Sequence, residues 1–482
     1  RLFIGSCLMS LTLTSVQAQS TEALQERVRQ LEAELAQTKQ TLALTEKVAK
    51  SNPDKQKMAD LEDKLANAAD TGPSKITPGD LIPALGGLKI GGAIRANYAL
   101  GDYSQSPSGR FKDSSGTRGG SGAISLDTFR INLDYSRDQW IGKAEYRFYP
   151  GYAVNNSDTY HFAHTGWIGY NFENGDQLQA GLNRTPFGPG PYGVSQSWLF
   201  DQHYYVGLSD NMNVGFKYTT DRVEGWKFDF AYYAVETPNG TGENFSNDSV
   251  RYSYDVVDET GDGYEESHQV NFRGVYSANF GEISADLGTS LQYGILESNG
   301  PQDDGDMFAG SLHAIFKWGN WTLAPQITYY DYDVDANADQ GGTLLSDKVV
   351  QMGAYDFPSL VAAEAWLPAV SLSYYHETPQ VDWLDYMIPY VEYSGILKEE
   401  DSFNDSEMII IGSAFARGGW YIYADLAFSN GNDFVGNRAG FGDTSKQVDK
   451  TFSEGFFSSN RLGENPTDEW ETRFNINFGY YF

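Results

Sequence analysis

The chain has 482 residues and a formal net charge of -31, and is 15% aromatic, with 51 glycines at a mean hydropathy of -0.47. That much acid opposes nucleic-acid binding, whose phosphate contribution is electrostatic. A single cysteine, Cys7, excludes a disulfide scaffold and a cysteine metal site.

Residues 1–18 read RLFIGSCLMSLTLTSVQA: a basic residue, an apolar run, then Val16-Gln17-Ala18. That is the layout of a secretory signal cleaved after Ala18; a lipoprotein site at Cys7 is the alternative. No later stretch approaches the ~20 apolar residues of a membrane helix, so an exported chain without a spanning helix is expected. Over 19–70 the composition shifts to Ala, Leu, Glu, Gln and Lys. Leu24, Val28, Leu31, Leu35 and Leu42 follow a heptad seam, with Thr38 and Thr45 in phase. One such helix cannot bury its stripe alone, so self-association is the simple inference, and packing on its own barrel the alternative. Asn52-Pro53 breaks the helix, and Met58, Leu61 and Leu65 mark a second short one. Residues 71–87 are rich in Pro and Gly and form a linker.

From Leu88 the period becomes two. LKIGGAIRANYAL sets Leu88, Ile90, Ile94 and Tyr98 on one face and Lys89, Arg95 and Asn97 on the other. FRINLDY and WIGKAEYRF continue the pattern across a tight turn at Ser136 to Gln139, with Arg130, Lys143, Glu145 and Arg147 on the polar face. The alternation recurs to WETRFNINFGYYF, where Trp470, Phe474, Ile476, Phe478, Tyr480 and Phe482 share a face. A soluble sandwich also alternates. Segments near the ~9–11 residues of a tilted membrane strand, aromatics at their ends, and short turns alternating with long acidic loops favour an outer-membrane barrel. Those loops are expected at Asp255 to Ser267, Ser298 to Asp306, Asp331 to Asp347 and Lys398 to Ser406.

The predicted fold is therefore an all-β transmembrane antiparallel barrel over 88–482, preceded by a short helical coiled coil. Sixteen strands are expected, with fourteen and eighteen as alternatives. Only a closed barrel satisfies every backbone group in lipid, so the last strand must pair with the first. A last strand paired in this way is expected to present an apolar outward face.

The terminal Phe482 after a secretory signal resembles the porins of Gram-negative outer membranes. FRINLDYSRDQWIGKAEYRF, GWIGYNFENGDQLQAGLNRTPFGPG and NMNVGFKYTTDRVEGWKFDFAYY resemble phosphate-selective porin O/P relatives, with Pro186-Phe187-Gly188 as the turn before an inserted loop and Asn213-Val214-Gly215 after it. The heptad front end is similar to DcaP-type trimeric porins. The resemblance implies a homotrimer of sixteen-stranded barrels, with the terminal aromatic Phe482 read by the outer-membrane insertion machinery. It carries over no phosphate-binding ladder, because no residue-by-residue match exists.

A pore's selectivity comes from the side chains at its narrowing. Inward-facing bases are expected at Lys89, Arg95, Arg130, Lys143, Arg147, Lys217, Lys227, Arg273, Lys317 and Arg473, and inward acids at Asp134, Glu145, Asp229, Asp286, Asp425 and Glu471. That wall is mildly basic and favours small anions or zwitterions; the alternative is that the charges pair off and keep a wide lumen wet. The candidate constriction loop runs from Asn183 to Asn211, with Arg184, Pro186, Phe187, Gly188 and His203 singled out, and Arg184 and His203 as solute contacts. The rival role is a latch onto a neighbouring subunit.

The stretch at Asp258 to Glu266 begins like a calcium loop, but Gln269 stands at its twelfth position, so no metal is assigned. No G-x-S-x-G elbow accompanies the six histidines, and neither an enzyme nor a cofactor is expected. The resulting reading is a water-filled outer-membrane porin for small hydrophilic solutes, in contact with outer-membrane lipids, its helix periplasmic. A structural tether or adhesin built on the coiled coil is the alternative.

Overall fold

The computed structural model describes residues 86–101, 123–149, 160–241, 250–258, 261–338, 344–355, 357–432, 435, 462–466 and 468–482. The expected signal sequence, the heptad seam through Leu24, Val28, Leu31, Leu35 and Leu42, and nearly all of the linker lie outside the described residues.

Sixteen long strands make the wall. They are β1 (Leu88–Gly101), β2 (Ala123–Arg137), β3 (Trp140–Tyr149), β4 (Tyr160–Asn171), β5 (Gln177–Arg184), β6 (Met212–Thr220), β7 (Trp226–Val235) and β8 (Tyr264–Phe280). They continue as β9 (Ile283–Ser298), β10 (Gly305–Trp318), β11 (Trp321–Asp333), β12 (Glu364–Tyr374), β13 (Tyr386–Lys398), β14 (Ser406–Arg417), β15 (Trp420–Asn430) and β16 (Trp470–Tyr481). Each pairs antiparallel with the next. β16 pairs back to β1, from Ala93 opposite Tyr481 to Gly101 opposite Arg473. The sheet has no edge, which is what a strand wall in lipid requires.

The seam is closed by backbone bonds from Gly92 N to Phe482 O (2.9 Å) and from Phe482 N to Gly92 O (3.0 Å). Gly92 is needed there: a Cβ would stand 2.8 Å from the Phe482 ring and 2.5 Å from the Arg130 carbonyl.

Alternation sorts the side chains as the sequence pattern implies. Ile94, Ile131, Leu291, Leu312 and Ile411 are exposed on the outside, while Asn97, Arg130, Glu145, Gln292 and Asn475 are buried on the inside. An outward apolar face of this extent suits lipid rather than water. Short turns such as 138–139, 281–282, 319–320 and 418–419 all lie at one end, and the long connections, among them 185–211 and 236–263, lie at the other. At the short-turn end Trp140, Trp226, Trp321 and Trp420 each open a strand. Each lies opposite a tyrosine (Tyr170, Tyr276, Tyr374 and Tyr480) with ring centroids 4.7–5.1 Å apart. This is the aromatic girdle of a membrane barrel.

Two expectations need correction. Several strands exceed the predicted length: β8 has 17 residues and β9 has 16. The strands continue into the expected loops, so Tyr264 to Ser267 on β8 and Asp331 to Asp333 on β11 belong to the wall. Asp255 to Asp258, the start of the expected loop Asp255 to Ser267, is not a solvated acidic loop either. Arg251, Asp255 and Asp258 are buried, and Asp255–Val256 pairs with Val349–Ala354, which pairs with Phe357–Ala362 in a small separate sheet.

Candidate site in the barrel lumen

The chain leaving β5 does not run outward. Thr185 N bonds Asn211 O (2.9 Å), which ties the base of the segment, and 186–210 cross the lumen. Gly188 N donates to Ser290 Oγ on β9 (3.1 Å), and Arg273 on β8 donates to the Gly188 and Pro189 carbonyls (2.7 and 2.9 Å). Val194 packs on Ala324 of β11 and Ala369 of β12. Ser195 Oγ donates to Glu392 of β13 (2.7 Å), and the Gln196 amide donates to the same carboxylate. The Arg473 guanidinium of β16 lies 5.6 Å from the Trp198 ring.

A single helical turn, α1 (Gln202–Tyr205), is capped by Asp201, which accepts from His203 N (2.9 Å) and from Val194 N (2.9 Å). The segment returns through Tyr332 OH, which donates to Val206 O (2.9 Å). In a ring of sixteen, β13 stands opposite β5, so the Ser195–Glu392 bond joins the segment to the far wall.

Arg184, at the base, pairs with Asp210 (2.6 Å) and lies over Tyr192 (5.3 Å). Its side chain keeps about 31% of its exposure. His203 does not. It is fully buried, with Nδ1 3.2 Å from Asp201 and Nε2 2.9 Å from Thr328 Oγ1. The reading of His203 as a solute contact is therefore corrected: it is a strut between α1 and β11. Phe187 is buried, and Gly188 adopts φ +72 where the segment bends into the lumen.

Facing this segment is a chain of charges on β1 to β4. Arg95 Nε lies 2.9 Å from Asp127. Glu145 is shared by Arg130 (3.3 Å) and Arg147, with His164 Nδ1 at 3.6 Å. Asp210 of the segment accepts from Tyr252 OH and stands 4.0 Å from His164 Nε2. Arg147 covers the Tyr252 ring at 4.3 Å.

Two of these partners owe their position to bulges. Arg95 opposes Thr128 while Ala96 opposes Leu126, so Asp127 is the extra residue and turns inward. Glu145 opposes Thr165 while Tyr146 opposes Ala163, which makes His164 the extra residue beside Glu145. Strict alternation from Phe129 assigns Asp127 to the lipid face, which is why the sequence pattern missed it.

The ladder parity keeps Lys89, Lys143, Lys217, Lys227, Lys317 and Arg473 on the inner side, together with Asp134, Asp229, Asp286, Asp425 and Glu471. Lys217 Nζ donates to Arg184 O (2.8 Å), and Arg273 pairs with Asp229 (3.3 Å). The mildly basic count changes once the missed groups are included. Asp127, Asp201, Asp210 and Glu392 join the six expected acids to make ten, and Arg184 joins the ten expected bases to make eleven. Buried Glu266 on β8 and Asp255 at the mouth add further acid, so among the described residues the basic excess is gone, and any preference depends on where charges stand rather than on their sum. Glu392 had one legible signal, an acid in mid-strand on the inward parity of PYVEYSG.

At the mouth, 250–258 is held against the segment. Asn211 donates to Asp255 (2.8 Å), Met212 N to Ser253 Oγ (2.8 Å), and Arg251 reaches Asp255 (3.4 Å) and Glu236 (3.5 Å). Burial pushes the Asp255 and Glu236 carboxyls above their ordinary range, against the pull of Arg251.

No protein-family model matches the sequence, and no curated protein matches it. Solved structures do. The outer membrane channel DcaP of Acinetobacter baumannii aligns with a TM-score of 0.51 at 9% identity, over 82% of this chain and 97% of that one. OmpF of Salmonella typhi aligns at 0.44 and 12% identity, over 82% and 97%, and the anion-selective porin from Comamonas acidovorans at 0.41 and 12%, over 82% and 99%. At these identities the likeness to DcaP is one of fold, and the fold of this chain is the sixteen-stranded barrel of outer-membrane channels.

Proposed function

We propose that the protein is an outer-membrane porin, a water-filled channel through which small hydrophilic solutes diffuse, with 185–211 as its narrowing. The observation that supports this most is the crossing of the lumen from β5 to β13 by a segment wired to both walls. A wall of sixteen strands is wide enough to hold water, and an inserted segment is what gives such a lumen a size limit. On the β1 to β5 side of the segment, Arg95, Arg130, Arg147 and Arg184 outnumber Asp127, Glu145 and Asp210 by four to three. The reading therefore includes a mild anion preference, set locally. It assigns no chemical reaction. It takes the barrel as a homotrimer delivered to the outer membrane through Phe482, with the seam at Leu24 to Leu42 joining subunits on the periplasmic side.

The test is current through single molecules in a planar bilayer under a potassium chloride gradient. Discrete steps with a reversal potential of anionic sign are expected. Steps of cationic sign would overturn the local preference, and a folded protein giving no steps would overturn the channel. Deleting 21–50 is expected to lower the heat resistance of the trimer band on gels; an unchanged band would remove the seam from the account.

A further inference from the structure

Of the bonds that hold the inserted segment, those to Glu392 are built differently from the rest. Glu392 is buried in the middle of β13, and its neighbours Val391 and Tyr393 face outward. Its carboxylate accepts from Ser195 Oγ (2.7 Å), from the Gln196 amide, and from Ser371 Oγ of β12 (3.1 Å). All three donors are uncharged. Two belong to the inserted segment and one to the wall, so the group is shared between them. Ser195 Oγ in turn accepts from Ser197 N (3.1 Å), and Ser197 Oγ from Leu199 N (3.0 Å), which stiffens the stretch that Glu392 grips. Two residues along the same strand, Ser394 Oγ accepts from Gln202 N at the start of α1 (3.1 Å). Asp425 on β15 is buried beside the same stretch, bonded by Tyr390 OH, with Ser197 and the Trp198 amide facing it.

A carboxylate with only neutral donors is a costly group to bury. A glutamine would fill the same volume, but its amide nitrogen is a donor where a second acceptor is needed. The stretch presents two donors, a hydroxyl and a backbone N–H, and the two Glu392 oxygens accept them.

We propose that Glu392 is the positioning residue of this channel. It pins 195–198 to the wall opposite β5, and so fixes how far the segment reaches across the lumen and how wide the passage is. The inference rests on the reading of 185–211 as the narrowing. Glu392 acts through the segment and touches no solute.

The test places a spin label on the segment. Gly190 is suitable, since an added Cβ there meets nothing closer than 3.9 Å. Gly190→Cys is labelled in the full-length protein carrying Cys7→Ser, which removes the only other cysteine, and spectra are recorded beside bilayer current. Glu392→Ala is expected to shorten the label's rotational correlation time by roughly twofold or more and to raise and broaden the distribution of step sizes. Glu392→Gln is expected to fall between the two, and Ser371→Ala, which spares both segment bonds, to leave the spectrum unchanged. Heat-shifted mobility on gels reports whether each barrel has folded. If Glu392→Ala does not fold, Ser195→Ala removes a donor from the segment side alone and is expected to mobilise the label. Parent-like spectra in the folded variants would overturn the proposal. Because the label reports the segment rather than the current, a mobilised label in a protein that never conducts sinks the channel reading alone. An immobile label in a conducting protein sinks the latch alone.

Discussion

Glu145 shows how much can depend on one side chain in this lumen. It is buried, and both Arg130 and Arg147 direct guanidinium nitrogens at it. Each arginine also has an aromatic face, Tyr481 at 5.2 Å and Tyr252 at 4.3 Å, but neither ring carries a charge. Replacing Glu145 with Gln removes the negative charge that Arg130 and Arg147 share. The expected cost is about 3–5 kcal/mol, read as a lower midpoint in urea unfolding followed by gel mobility. The same change should move the reversal potential further toward anions. An unchanged midpoint would show that water reaches these arginines and screens them. Asp127 makes the complementary point about legibility. Its residue type suited an inward ion pair, but the bulge that turns it there is a backbone event with no signature in the alternation of FRINLDY. The charged pairs on unbroken ladder, such as Lys143 with Asp134 at 4.0 Å, were legible as facing neighbours.

Among the elements, the wall was legible and the mouth was not. Period-two alternation survives wherever one face meets lipid and the other meets polar side chains, so strands from LKIGGAIRANYAL to the terminal segment declared themselves. Asp255 to Asp258 stands at the start of an expected acidic loop, and nothing local says that 250–258 folds back. Its burial comes from long-range partners, Asn211 and the strand Val349–Ala354. A pH dependence follows from its carboxyls. Asp255 and Glu236 hold protons more tightly when docked than when free. Docking is therefore tightest in acid and weakens as pH rises from the ordinary carboxylate range through the raised values. Hydrogen exchange of 250–258, corrected for the intrinsic rate, is expected to be slower at mildly acidic than at alkaline pH. Asp255→Asn should flatten that difference. Faster exchange in acid would mean that Arg251, not burial, governs these groups.

For the molecule as a whole, four of the ten tryptophans define a plane. Trp140, Trp226, Trp321 and Trp420 stand at one end of the wall against cross-strand tyrosines, whereas Trp198 stands inside, against Arg473. Single-tryptophan variants in brominated lipid provide the check. Trp226 is expected to be quenched most by bromine near the headgroups, and Trp198 to be indifferent to it. Equal quenching of both would contradict the placement of 185–211 within the wall.

The pairing of Gly92 with Phe482 has a consequence for assembly. A sheet joined to itself is a ring, and a ring has no first strand. The closing contact is also the most distant along the chain, so its loop-closure entropy, about 5 kcal/mol on a logarithmic scale for some four hundred residues, must be met last. Before that step β1 and β16 each present an unpaired edge, which lipid cannot satisfy. Insertion and closure are therefore expected to occur together. By the same geometry, a chain opened at 281–282 and rejoined between 482 and 86 would contain every rung of the present barrel.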